Sequence, residues 1–342
     1  MRYAVANIYW SGRTKLESRV TLRLLRRREG SRGEVTLVDI SGDDTTVLSV
    51  SKATKPGAEG WVDCWDINNL KTISKVNGVS GKLSHTGRIF AAVKDRQVCS
   101  ASNQALHPEV WVIDGASSKA KTQNLLDTSA AIGNPLAFGA QGRIFAAGAA
   151  DHRVVVYSLQ SRSTLCIIMS HIDQVTHAIF APDGRSLLTA SRDSTIRVTD
   201  ALTGLSRFKF EVPNWHRCQA LAITRDGKRV ASIWGSEVYL WQLDSGGGCD
   251  VYSLGAKRQK EGWPLCISPD GRLLVCRTEG GGVDVSDITS GEVLGMLALG
   301  GIATAAAFSS DGSVLAVGKY DGAVELLEVK AESIYTSTEG SE

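Results

Sequence analysis

Proline is scarce in this chain, 7 of 342 residues, and no apolar stretch approaches the ~18 residues that a membrane-spanning helix needs. An excess of one charge sign is also missing. Against 38 Lys and Arg stand 36 Asp and Glu, and a formal net charge of +2 creates no global field toward nucleic acid or a lipid surface. The seven cysteines (Cys64, Cys99, Cys166, Cys218, Cys249, Cys266, Cys276) are an odd set without a Cys-x-x-Cys pair, mostly inside apolar strand patterns. Such a set reads as buried, reduced thiols of an intracellular protein. The six histidines never stand at ligand spacing with Cys or carboxylates, and Gly-x-Ser-x-Gly, a phosphate loop and His-Glu-x-x-His are all absent. No catalytic residue, metal or cofactor is therefore expected, and the chain is read as a non-enzyme. The opening Met1-Arg2-Tyr3-Ala4 lacks an apolar core of signal-peptide length and no Asn-x-Ser/Thr sequon occurs, so the setting expected is cytoplasmic or nuclear, with no membrane.

Glycine, by contrast, is abundant at 35 residues, and part of it falls at a fixed period. Turns stand at Ser41-Gly42-Asp43-Asp44, Ser84-His85-Thr86-Gly87, Gly139-Ala140-Gln141-Gly142, Ala181-Pro182-Asp183-Gly184, Thr224-Arg225-Asp226-Gly227, Ser268-Pro269-Asp270-Gly271 and Ser309-Ser310-Asp311-Gly312. Their glycines are 45, 55, 42, 43, 44 and 41 residues apart. Units of that length, each with a hairpin between two apolar runs, are the signature of propeller blades, and seven of them make one closed all-β domain. In the clearest unit, strands are expected at 175–180, 186–191, 195–200 and 207–211, joined by the turns Pro182-Asp183-Gly184, Arg192-Asp193-Ser194 and Thr203-Gly204.

This unit resembles the WD40 repeat. His171, Ser191, Asp193 and the pair Thr199-Asp200 stand where that family places its Gly-His, second-strand Ser, turn Asp and Trp-Asp. The resemblance implies a buried hydrogen-bonded network, here with Thr199 in place of the tryptophan. Trp65-Asp66 is the one intact Trp-Asp pair. Trp111 and Trp241 keep the tryptophan, Tyr157, Val285 and Leu327 replace it, and Asp151 and Asp321 keep the turn acid. The fold expected is thus a seven-bladed WD40-type β-propeller, with blades at 33–76, 77–128, 129–169, 170–211, 212–254, 255–299 and 300–330 and a polar tail at 331–342. Residues 1–32 are an N-terminal segment. It is expected to supply the last blade's outer strand and close the ring, from Arg19 to Leu25 or alternatively from Arg2 to Trp10. An insertion runs from Lys94 to Glu109 in the second blade, and a shorter one from Lys52 to Gly60 in the first.

Taking the residue after each second strand gives Lys52, Lys94, Ala149, Arg192, Trp234, Arg277 and Lys319. The resemblance places that column around the mouth of the central channel, where five cations would form a partner-binding ring and Trp234 an anchor. Arginine forks at Arg192 and Arg277 suit carboxylate or phosphate, and Trp215 and Trp263 are secondary candidates on the same face. The alternative for each is a solvated turn cation or a tryptophan packed between blades. A local run, Arg26-Arg27-Arg28, reads as a solvated strand edge. The function expected is a scaffold or adaptor in a multiprotein complex that docks acidic or phosphorylated segments. The alternative is an RNA-associated propeller that uses the same ring on phosphates.

Overall fold

In the computed structural model, the structure describes residues 5–8, 14–30, 33–54, 60–78, 80–93, 108–112, 121–123, 132–139, 142–149, 151–161, 163–213, 217–235, 237–243, 249–253 and 263–337. Two N-terminal strands, β1 (Val5–Ile8) and β2 (Thr14–Arg28), come first. The first sheet is β3 (Val35–Ile40), β4 (Thr46–Ser51), β5 (Trp61–Asp66) and β6 (Thr72–Asn77). The second is β7 (Ser80–Leu83), β8 (Ile89–Val93), β9 (Pro108–Val112) and β10 (Lys121–Gln123). The third is β11 (Ile132–Gly139), β12 (Ile144–Ala149), β13 (Val154–Ser158) and β14 (Ser163–Ile168). The fourth is β15 (Val175–Phe180), β16 (Ser186–Ser191), β17 (Thr195–Asp200) and β18 (Ser206–Glu211). The fifth is β19 (Cys218–Ile223), β20 (Arg229–Trp234), β21 (Glu237–Gln242) and β22 (Cys249–Ser253). The sixth is β23 (Trp263–Ile267), β24 (Leu273–Arg277), β25 (Val283–Asp287) and β26 (Val293–Leu297). The last, β27 (Ala303–Phe308), β28 (Val314–Lys319) and β29 (Val324–Ser337), gains β2 and then β1, in the order β1-β2-β29-β28-β27.

The chain is an all-β propeller. Each apolar cluster joins one sheet to the next around the ring. Leu48, Val62 and Cys64 meet Leu83 and Phe90, for example, and Phe210 and Val198 meet Trp234 and Trp241. The final cluster sets Ala316, Val324 and Leu326 of the last sheet against Val35, Val47 and Trp65 of the first, so the ring is shut. No helix among the described residues is long and apolar enough to cross a membrane.

Every first-to-second-strand turn bends through one left-handed residue: Asp44, Gly87, Gly142, Gly184, Gly227, Gly271 and Gly312, at φ of 57 to 82°. In the first sheet that residue is Asp44, whereas Gly42 had been expected. Gly42 is small for another reason, because a Cβ there would fall 1.7 Å from the His85 ring. Asp44 also spans the seam, accepting from Ser310 N at 2.7 Å and Ser310 Oγ at 2.8 Å.

Closure comes from β2, which contains the Arg19 to Leu25 segment expected to supply it and pairs antiparallel with β29 from Thr14↔Ser337 to Arg28↔Val324. The alternative segment is present too, with Val5–Ile8 forming β1 on the far side of β2. The polar tail expected from 331 is corrected in part, since residues 331–337 continue β29 and pair with 14–20.

The basic run is solvated only in part: Arg26 and Arg27 are exposed and Arg28 is half-buried, and all three make contacts. Arg27 reaches Glu325 at 3.3 Å and Asp321 at 3.5 Å within its own sheet. Its neighbours cross the seam. Arg28 pairs with Asp63 at 2.9 Å, donates to Thr72 Oγ1 at 2.7 Å and lies 4.8 Å over the Trp65 ring, while Arg26 donates to Ile67 O at 3.3 Å. Burial pushes the Asp63 carboxyl up and Arg28 pulls it back, so the acid depends on its cation. Arg28→Ala should therefore cost about 2–3 kcal/mol in urea unfolding, and adding Asp63→Asn should recover part of it.

Candidate partner-binding face

Backbone pairing gives an alignment of the sheets that is independent of residue type. Lys52 N, Arg192 N and Tyr320 N each donate to the residue just before the first strand of their sheet: Glu34 O, Gln174 O and Ile302 O, all at 2.9 Å. These three are equivalent turn residues. Lys319 is one position earlier, where Ala303↔Lys319 matches Val35↔Ser51 and Val175↔Ser191. Trp234 and Arg277 likewise close their strands, opposite Cys218 and Trp263. The expected ring therefore combined two columns, one facing the interior and one facing solvent.

Burial follows this division. Lys319 is fully buried, with Nζ donating to Leu299 O at 2.9 Å and pairing with Glu325 at 3.0 Å. Asp321 lies 3.6 Å from that Nζ and accepts from Ala323 N at 3.0 Å. Trp234 is 1% exposed in the core between the fourth and fifth sheets, so it cannot anchor a partner as expected. Arg277 is half-buried. Lys52 is exposed but paired with Glu34 at 2.6 Å. Arg192 is exposed, and its guanidinium has no partner among the described residues. Lys94 and Trp215 lie outside the described residues, as does most of the 94–109 insertion. Trp263 opens β23, and its side chain is outside them too.

Three apolar residues at these turns escaped the sequence reading. Tyr320 is 61% exposed beside Ile302 at 48%, and Ile172 is 82% exposed in the loop bonded to the Arg192 turn. The available signal was an apolar residue between polar or glycine neighbours in a loop, as in His171-Ile172-Asp173 and Lys319-Tyr320-Asp321.

The polar network of the fourth sheet anchors that loop. His171 Nδ1 lies 2.9 Å from Asp193 Oδ2 and its Nε2 2.8 Å from Thr189 Oγ1. Asp193 also accepts from Thr195 Oγ1 at 2.6 Å and Ile172 N at 3.1 Å, and Ser191 Oγ donates to Asp173 O at 2.8 Å. Thr199, in the tryptophan's place, is buried with its hydroxyl unbonded. Two other sheets keep the complementary half, with Trp65 Nε1 donating to Ser49 Oγ at 3.4 Å and Trp241 Nε1 to Ser232 Oγ at 3.1 Å. Register aligns Trp65, Trp241 and Thr199, and it puts Ser286 rather than Val285 at that place in the sixth sheet. Asp66 caps its own turn through Asn68 N at 2.8 Å and Asn69 N at 3.0 Å, and Asp151 pairs with Arg153.

Among the described residues no group of His, Cys, Asp and Glu could hold a metal ion. The six described cysteines are free, and burial pushes the Cys218 thiol up to about 12, away from reactivity.

Residues 162–200 match the WD domain, G-beta repeat. The chain is similar to the COMPASS component SWD1 of Saccharomyces cerevisiae, 31% identical over 153 residues, 41% of this chain and 34% of the relative. WD repeat and SOCS box-containing protein 1 of Xenopus tropicalis is 32% identical over 111 residues, 31% of this chain and 26% of its own length. Retinoblastoma-binding protein homolog 5 of Caenorhabditis elegans is 36% identical over 87 residues, 25% of this chain and 19% of the relative. The matches thus cover about a third or less of these relatives. The molecule is a propeller with WD-repeat relatives. The segment matched as a WD40 repeat takes in β14 of the third sheet and β15 to β17 of the fourth, and it holds the His171–Asp193–Thr189 bonds.

Burial pushes the Asp193 carboxyl up, but hydrogen bonds from His171 and Thr195 outweigh it and hold it well below the ordinary range. Its stabilisation is fully present above about pH 4, the unfolded value, and is lost as pH falls toward the folded value. Asp193→Asn should flatten the acid limb of a stability–pH curve measured by urea unfolding between pH 2 and 7, and should lower stability at pH 7.

Proposed function

We infer that the chain is a seven-bladed WD40-type propeller acting as a non-enzymatic scaffold or adaptor, with residues 33–330 as the body of the ring and β2 completing its last blade. It docks partner proteins on the face carrying the second-to-third-strand turns. The observation that carries this reading is a set of exposed apolar residues on hydrogen-bonded turns, Tyr320 beside Ile302 and Ile172 in the loop bonded to the turn of Arg192, whose guanidinium has no partner among the described residues. Aromatic and arginine side chains on a rigid frame are the usual energetic centres of protein interfaces. The names of the relatives fit such a role, one being a COMPASS component and another a WD repeat and SOCS box-containing protein. The partners proposed are acidic or phosphorylated segments, gripped by the Arg192 fork in a cytoplasmic or nuclear complex. The RNA-associated alternative draws no support from a rim in which Lys319 is buried.

An array of acidic and phosphorylated peptides tests this reading. The chain should retain a subset of them, and Arg192→Ala and Tyr320→Ala should each weaken retention at least tenfold, with melting temperatures within about 1 °C of the parent because both side chains are exposed. Retention unchanged by both substitutions contradicts it. A steep fall in binding with salt, matched by retention of mixed-sequence RNA, would favour the RNA alternative.

A further inference from the structure

The outer strand of each sheet has an open edge that another chain can extend, and folded proteins protect such edges with charge or cover. Most outer strands here follow that rule. β18 exposes Arg207, Lys209 and Glu211, β6 exposes Lys75, and β22 exposes Asp250. Three outer strands carry no charged residue: β26 (Val293–Leu297), β1 (Val5–Ile8), which meets β26, and β14 (Ser163–Ile168). The chain covers one face of the first itself. β1 and β2 pack against β26, so closely that a Cβ on Gly295 would fall 2.3 Å from Val20 O.

Among the described residues β14 has no such cover. It ends its sheet in the order β11-β12-β13-β14, and no strand among the described residues pairs with its outer side. Leu165, Ile167 and Met169, at alternate positions, are 38%, 47% and 75% exposed. The intervening residues face the fourth sheet, Ile168 in the core and Cys166 with Sγ donating to Ala201 O at 3.1 Å. The turn after Ala201 adds Leu202 and Leu205, 47% and 69% exposed, with Gly204 packed against Cys166. Past Met169 the surface continues to Ile172 and to Arg192, which has no partner among the described residues. Exposed apolar side chains thus line an open strand edge that carries no charge of its own, as a contact surface would. The molecule also shows that a sheet of this ring accepts a fifth strand, because β1 pairs outside β2.

We propose that β14 receives an extended segment of a partner protein as an added fifth strand, with bulky apolar residues at alternate positions and a carboxylate at the end near Arg192. Main-chain hydrogen bonds supply the affinity, and the Leu165–Ile167–Met169 stripe selects apolar side chains on the incoming strand. This surface lies on the outer wall and shares Ile172 and Arg192 with the turn face described above, whereas Leu165, Ile167 and Met169 belong to it alone.

The probe is a capped nine-residue peptide that alternates threonine with valine or isoleucine and carries glutamate at both ends. Its control has proline at the centre. Fluorescence anisotropy should show saturable binding of the probe but not of the control. Hydrogen exchange should show new protection confined to the amides of 163–168, with β18 unchanged. Ile167→Lys should weaken binding at least tenfold without changing the melting temperature, and Ile167→Thr serves if the lysine variant does not fold. Failure of the probe to bind, equal binding of the control, or protection elsewhere would overturn the proposal. So would a concentration-dependent dimer in sedimentation that Ile167→Lys dissociates, since the stripe would then belong to a second copy.

Discussion

The pairing of β2 with β29 is the constraint on which the ring depends. A propeller has no central core; its apolar surface is shared among interfaces between neighbouring sheets, and each interface needs the next to hold it in place. The last interface must be made by residues from opposite ends of the chain, so its loop-closure cost is the largest in the molecule. Here that interface is secured three ways. The β2–β29 ladder runs from Thr14↔Ser337 to Arg28↔Val324, Arg28 and Arg26 reach across to the first sheet, and Asp44 accepts from Ser310 at the opposite end of the seam. Two of three consecutive arginines that look like a solvated charge run, Arg26 and Arg28, are part of the fastening.

The fold was legible because the left-handed turn residue repeats, and only glycine or a short polar residue takes that conformation cheaply. The candidate site was less legible. A strand's last residue and the first residue of its turn are adjacent, and a basic side chain satisfies either position. Lys319 and Arg192 therefore looked equivalent, although one is at the end of a strand and the other in a turn. Burial of Lys319 rests on Glu325, and that acid also meets Arg27, 298 residues away in sequence. No local pattern announces such a contact. Trp234 misled for a related reason, since a tryptophan at a strand end packs between sheets as readily as it faces solvent.

The WD40 hydrogen-bond network is distributed among the sheets rather than repeated in each. The fourth keeps the His171–Asp193–Thr189 half and lacks the tryptophan, while the first and fifth keep the tryptophan–serine half. Packing between sheets carries what the network does not, which frees turn positions to vary. Exposed apolar residues such as Ile172 and Tyr320 occupy that freedom, on backbone fixed by hydrogen bonds from neighbouring strands.

Thr21→Pro tests the dependence on closure most directly, because proline removes a ladder donor opposite Lys330 and disrupts the closing strand. Native-state hydrogen exchange on this variant should show loss of protection in β29 and β28, spreading to the facing strands β3 and β26. Protection there equal to that of the parent chain would contradict the account, and would mean that packing between sheets holds the ring without its closing strand.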